Sequence, residues 1–209
     1  MKDFFPDTGG AYFLATDFGA DRIRVLKLVS GKLEHCSNFD MNAPAGSGPR
    51  HLSFNIKERL MYCLCELSNE LLVYSFKESV PEIVQRIDTS GLGIDGTFTE
   101  RPAAGDLKMH PDGKLLYATR RLMNDGILVF KIKGNGLLEF SSFKASEKHP
   151  RMIHIVDSPE GADIMFVACK DGGIQVFPLH GFQAGEETDM QTAKLTLPDG
   201  DFPVWVQSC

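Results

Sequence analysis

GSGPRHLSFNIKERLMYCLCELSNELLVYSF, spanning Gly46 to Phe76, carries the pattern from which the fold is read. It holds three apolar runs: His51 to Ile56, Arg59 to Cys65 and Glu70 to Phe76. The polar turn Asn55-Ile56-Lys57-Glu58 separates the first two, and Leu67-Ser68-Asn69 separates the last two. Runs this short, bounded by turn residues and without helical spacing, predict antiparallel strands. Arg50 and His51 precede the first strand, and Glu66 ends the second. In an up-and-down meander those two ends share one edge of the sheet. An arginine, a histidine and a carboxylate are thereby expected at one rim.

The same unit recurs along the chain. AYFLATDFGADRIRVLKL (11–28), RLMYCLCELSNELLVYSF (59–76), KLLYATRRLMNDGILVFKI (114–132) and DIMFVACKDGGIQVFPL (163–179) each read as strand, polar turn, strand. Phe13, Tyr62, Tyr117 and Phe166 hold equivalent places, giving a period of roughly 50 residues. Another strand precedes three of the units, in HLSFNIKE, DLKMHPDG and MIHIVDSPEG. A fourth follows each, in KLEHCSNFDM, PEIVQRIDT, LLEFSSFKA and AKLTLP. Four strands per repeat at this period is the signature of a β-propeller blade. Leucine-rich, ankyrin and tetratricopeptide solenoids need helix-period apolar spacing, which is absent, and no blade has the Gly-His or Trp-Asp signature. The expected fold is all-β, a partial propeller in a single domain. Its four blades, each of four antiparallel strands, cover about 1–45, 46–100, 101–147 and 148–200, with an extra C-terminal strand in DFPVWVQSC (201–209). The first blade has only Lys2 to Phe5 where its inner strand belongs. Open sheet edges invite pairing with another chain, so self-association is expected there.

Composition narrows the function classes. The 209 residues carry 22 Lys and Arg against 28 Asp and Glu, a net charge of −6. No basic run suggests nucleic acid, and a mildly acidic surface mainly favours solubility. Cys36, Cys63, Cys65, Cys169 and Cys209 form neither a CxxC pair nor an even framework, which fits a reducing compartment. MKDFFPDTGG has no long apolar core, so neither a signal peptide nor a membrane anchor is expected and the cytoplasm is the default. Cys63 and Cys65, two apart on a strand, face the same way and are expected in inter-blade packing. The six histidines lack zinc spacing, and His149 and His154 are read as rim and strand filler. GLGIDG (91–96) matches GxGxxG but opens no helix, so it reads as an inter-blade loop. No serine sits in a GxSxG elbow.

Several segments together resemble the lactonase family of seven-bladed β-propellers. They are GSGPRHLSFN with CELSNELLVYSF, AAGDLKMHPDGKLLYATRR, KHPRMIHIVDSPEGADIMFVACKDGGIQVF and DFGADRIRVLKL. That family includes cycloisomerase-type 6-phosphogluconolactonases and fungal carboxymuconate cyclases. The resemblance covers nearly the whole chain in one order, and the chain is similar to the family's C-terminal four blades. It implies a rim site made of Arg50 in GPRH with His51 beside it, Glu66 in the turn after the second strand, and Arg151 in the later PR pair. Asp106 stands where the family has the acidic residue of an AAE-like motif, and Arg121 matches the arginine of an SNRG-like turn. The family's rim histidine lies ahead of an inner strand that here reads MKDFFP, and has no counterpart. The implied activity is hydrolysis of a phosphosugar lactone, 6-phosphogluconolactone to 6-phosphogluconate, without metal or organic cofactor. A muconate-type cyclase would use the same arginine clamp, and a non-catalytic binding module is the reading from a different class.

Topology and chemistry agree with those assignments. Inner-strand starts and second-strand ends gather Arg50, His51 and Glu66 from one blade, Asp106 and Arg121 from the next, and Arg151 with Lys170 from the last. Asp17 comes from the first. Opening a lactone needs a base to activate water and donors to steady the oxyanion. A substrate phosphate or carboxylate suits the permanently charged fork of arginine. Glu66 is the candidate base, Arg50 and Arg151 the anion clamp, with His51, Asp106 and Arg121 completing the set. The plainer reading of the same charges is a set of rim ion pairs joining blades.

Overall fold

The computed structural model describes residues 12–78, 80–93, 101–156, 163–179 and 193–195. They form four antiparallel sheets. The first contains β1 (Tyr12–Asp17), β2 (Arg22–Val29), β3 (Lys32–His35) and β4 (Met41–Asn42). The second is the meander β5 (Pro49–Asn55), β6 (Leu60–Cys65), β7 (Glu70–Ser75) and β8 (Glu82–Asp88). The third orders β9 (Ala103–Met109), β10 (Leu115–Arg121), β11 (Gly126–Ile132) and β12 (Leu138–Ala145). The fourth orders β13 (Pro150–Val156), β14 (Ile164–Cys169), β15 (Gly173–Pro178) and β16 (Ala193–Leu195). This is the blade pattern the repeats predict. The Lys2–Phe5 stub, the end of GLGIDG and the strand expected over 201–209 lie outside the described residues. No helix among the described residues is long and apolar enough to cross a membrane.

Burial explains the strand order. All six residues of β6 are buried, whereas β8 alternates exposed and half-buried positions. A strand covered on both faces can be apolar throughout, and an outer strand needs only one apolar face. The first sheet departs from the expected single strand in KLEHCSNFDM, because a 3-10 turn at Ser37–Phe39 interrupts it. β3 and β4 pair separately with the two ends of β2. Asp40 fills the gap between them: its carboxylate accepts from Val25 N–H at 3.0 Å and from Arg24 Nη1 at 2.9 Å, and stands 3.0 Å from His35 Nε2. Burial alone would raise its pKa, but the Arg24 guanidinium, the Val25 N–H and His35 hold the carboxyl below its ordinary value. A side chain has replaced a rung of the ladder.

Two compact units divide the chain, Met1–Asp88 with Asn135–Leu137 and Thr89–Gly134 with Leu138–Cys209. In the first, Ile23 and Val25 of β2 pack with Met61, Cys63 and Cys65 of β6 and with Leu72 and Tyr74 of β7. The two cysteines share one face of β6 inside inter-blade packing, as their spacing predicts. In the second, Tyr117, Ile127 and Val129 pack with Ile153, Met165, Val167 and Phe177.

One irregularity recurs where the inner strands begin. Pairing jumps from Pro49–Cys65 to His51–Leu64, leaving Arg50 as the extra residue. It jumps likewise from Pro150–Cys169 to Met152–Ala168, leaving Arg151. In the third sheet Gly105 and Asp106 together face Thr119. A bulge of this kind bends the strand and re-aims a side chain, and bulges concentrate beside functional sites. Glycine is required at 105, where a Cβ would collide with the Thr119 side chain and lie 2.8 Å from the Pro150 carbonyl.

Candidate active site

In the first unit the site is built on the GSGPRH loop. Asp21, just past the 3-10 turn that follows β1, accepts from Gly46 N–H at 2.7 Å and Gly48 N–H at 2.8 Å. From the other side, Glu66 N–H donates to the Gly48 carbonyl at 2.8 Å, and the Leu67 and Ser68 N–H groups donate to the Ser47 carbonyl at 3.1 Å. Thr16 Oγ1 then donates to the Arg50 carbonyl at 3.0 Å. Gly48 has φ +60, and a Cβ there would come within 2.9 Å of both the Leu67 and the Phe18 side chains. The loop is clamped before Arg50 begins.

Arg50 Nη1 then donates to Glu66 Oε2 at 2.7 Å, with the two side chains 27% and 17% exposed. Thr16, Phe18, Pro49, Arg50, His51 and Glu66 line a cavity of about 470 Å³. The three residues expected together from the meander do meet in one concavity, with a half-exposed aromatic ring beside them. Nothing in the sequence pattern marks Thr16 or Phe18 as site residues. The only signal for Asp21 was an acidic residue closing the FGAD turn.

The Gly48 N–H, and then the Gly46 N–H, hold the Asp21 carboxyl below its ordinary value of 3.8. A depressed folded-state pKa means that its grip is complete above that ordinary value and is lost as pH falls through the lower, folded one. Asp21→Ala is expected to speed amide hydrogen exchange at Gly46 and Gly48 by about tenfold or more at neutral pH, through freer local opening. Unchanged exchange would show that the loop is held without it.

In the second unit, both oxygens of Asp106 are engaged by backbone. Oδ1 accepts from Leu107 N–H at 2.7 Å and Oδ2 from Ile153 N–H at 2.8 Å, and the residue is 5% exposed. It ties β9 to β13. Arg121 donates through Nε to the Ala104 carbonyl at 3.3 Å, and its Nη1 lies 3.0 Å from His149 Nε2. His149 Nδ1 lies 3.3 Å from Asp171 Oδ2. Its pKa is lowered by burial first and then by the charges of Arg121 and Arg151, which outweigh Asp171. Arg151 is thus in electrostatic range of the same imidazole. Lys170 N–H donates to the His149 carbonyl at 2.9 Å. Asp17, the rim residue expected from the first blade, is bound to Arg24 at 2.8 Å and accepts from Ala20 N–H. No cluster of metal-ligating side chains occurs among the described residues.

Four-stranded antiparallel blades, one of whose bulged inner strands sets Arg50 beside Glu66, define an all-β chain of the partial-propeller class. The chain belongs to the family described as Lactonase, 7-bladed beta-propeller, which matches residues 3–197. It is 29% identical over 189 residues to the 6-phosphogluconolactonase of Bacillus subtilis (strain 168), covering 89% of this chain and 49% of that one. It is 28% identical over 194 residues to the 6-phosphogluconolactonase of Serratia proteamaculans (strain 568), covering 89% and 54%. Among solved structures, the periplasmic gluconolactonase PpgL of Pseudomonas aeruginosa superposes with a TM-score of 0.72 at 27% identity, covering 91% of this chain and 52% of that one. The chain spans about half the length of the curated relatives it matches.

Proposed function

We propose that this chain carries the lactone-opening site of a 6-phosphogluconolactonase-type hydrolase. The observation that carries the reading is the Arg50–Glu66 pair, 2.7 Å apart in a cavity with His51. In this mechanism Glu66 takes a proton from the water that attacks the lactone carbonyl. Arg50 steadies the oxyanion of the tetrahedral adduct. Collapse of the adduct breaks the ring carbon–oxygen bond, and His51 is assigned the proton that the departing alkoxide takes up. Phe18 offers the sugar ring an apolar face. The names of the curated relatives support 6-phosphogluconolactone as substrate, and within the second unit Arg121 and Arg151 are the candidate phosphate-holding side chains. Arginine suits that task because its planar fork binds two phosphate oxygens at once.

The test compares freshly prepared 6-phosphogluconolactone with unphosphorylated gluconolactone. The phosphorylated lactone is expected to be turned over with a kcat/KM at least about tenfold higher, since a charge-assisted hydrogen bond to the phosphate contributes roughly 1.5–3 kcal/mol. Equal rates on both lactones would refute the phosphorylated lactone as the preferred substrate.

A further inference from the structure

We propose that His149 is a positioning residue for Arg121: held as the neutral tautomer protonated on Nδ1, it accepts from the guanidinium at Nε2 and fixes where the arginine points. A guanidinium has donors only, so the ring nitrogen 3.0 Å from Arg121 Nη1 must offer a lone pair. The single ring proton is then on Nδ1, the atom that faces Asp171 Oδ2 at 3.3 Å. Asp171, His149 and Arg121 form a relay of orientation in which the carboxylate sets the tautomer and the tautomer aims the cation. A second proton on the ring would turn acceptor into donor and set two cations against each other. The inference rests on the proposed function only for what Arg121 binds, an anionic oxygen group.

The backbone supports a dedicated placement. His149 has φ 64, a left-handed conformation that a β-carbon disfavours. The residue is held there at both ends, its N–H donating to Asp125 Oδ2 at 3.2 Å and its carbonyl accepting from Lys170 N–H at 2.9 Å. Strained residues held by their surroundings are concentrated at functional sites. The charged groups facing His149 come from each neighbouring element: Arg121 at the end of β10, Asp125 in the following turn, Arg151 on β13 and Asp171 after β14, with Lys170 meeting it through its backbone N–H. Burial and the two arginines depress the imidazole below its ordinary 6.5. The aimed state is therefore complete above that value and fades as pH falls through the folded one.

Two measurements on the full chain test the proposal. Nitrogen-15 NMR of the His149 ring at pH 7.5 is expected to show a protonated Nδ1 and a bare Nε2. Sulfate, whose charge is constant across the range, is expected to bind about tenfold more weakly in His149→Gly than in the wild type, the loss of one charged hydrogen bond. Glycine at this position relieves the backbone and leaves folding intact. Sulfate affinity in the wild type falls as pH drops from 7.5 to 5.5, whereas His149→Gly shows no such fall. His149→Gln, whose amide oxygen can accept from Arg121, is expected to restore affinity without the pH dependence. A protonated Nε2 at pH 7.5, a wild-type pH profile in His149→Gly, or no sulfate binding by the wild type would each overturn the proposal. Absent lactone hydrolysis, with these results intact, would refute the proposed activity and leave the positioning role standing.

Discussion

Arg120→Ala is expected to destabilise the protein by about 3 kcal/mol or more and to lower Tm by roughly 6–12 °C, without any direct effect on the rim chemistry. Arg120 is 1% exposed, among the largest fully buried side chains of the described residues. Its Nη1 reaches the carbonyls of Leu92 at 2.8 Å and of Thr89 and Ser90 at 3.3 Å, and its Nε donates to the Asn124 carbonyl at 3.2 Å. The guanidinium also lies 4.7 Å over the Phe143 ring. Truncation strands several carbonyls, each at about 1–3 kcal/mol where buried, and opens a void against Phe143. Lysine cannot substitute, because one ammonium does not span that fork of acceptors. Arg121→Ala, one residue along and itself 6% exposed, strands the Ala104 carbonyl rather than the four carbonyls held by Arg120, so it is expected to weaken anion binding with a smaller fall in Tm. Equal Tm values for the two alanine variants would contradict this division between a peg and a site residue.

Glu66→Gln is expected to lower kcat for lactone hydrolysis by about 100-fold to 10,000-fold, the range that a positioned general base contributes. The amide preserves shape but cannot take a proton from water, so KM should change little. The Arg50–Glu66 ion pair is partly solvated, and such pairs contribute about 0–1 kcal/mol, so thermal unfolding should hardly move. Loss of folding with loss of activity would instead assign Glu66 the plainer role of a rim strut. The two outcomes separate in one pair of measurements, rate and Tm.

The blades were legible because their information is local. Alternation and turn residues over Gly46–Phe76 define β5, β6 and β7, and meander connectivity alone carries Arg50, His51 and Glu66 to one concavity. The bulges were not legible, since an extra residue in a ladder is defined by the partner strand; the repeated PR pairs at 49–50 and 150–151 were their only trace. Neighbouring arginines in TRRL show the same limit. Which of Arg120 and Arg121 is the peg depends on carbonyls of Thr89, Ser90 and Leu92, about 30 residues earlier in the chain. Asp40 hid inside what read as one strand, because its carboxylate does work that a backbone group usually does. His149 read as filler because Arg121 and Asp171, which give it a tautomer, are remote in sequence and close in space.

The most direct measurement is the initial rate of 6-phosphogluconolactone hydrolysis by the folded chain against the spontaneous rate in the same buffer. The site described for Arg50, His51 and Glu66 predicts a rate above background that falls to background in Glu66→Gln. A folded wild-type chain that leaves the spontaneous rate unchanged would contradict the claim that these residues open the lactone in this chain.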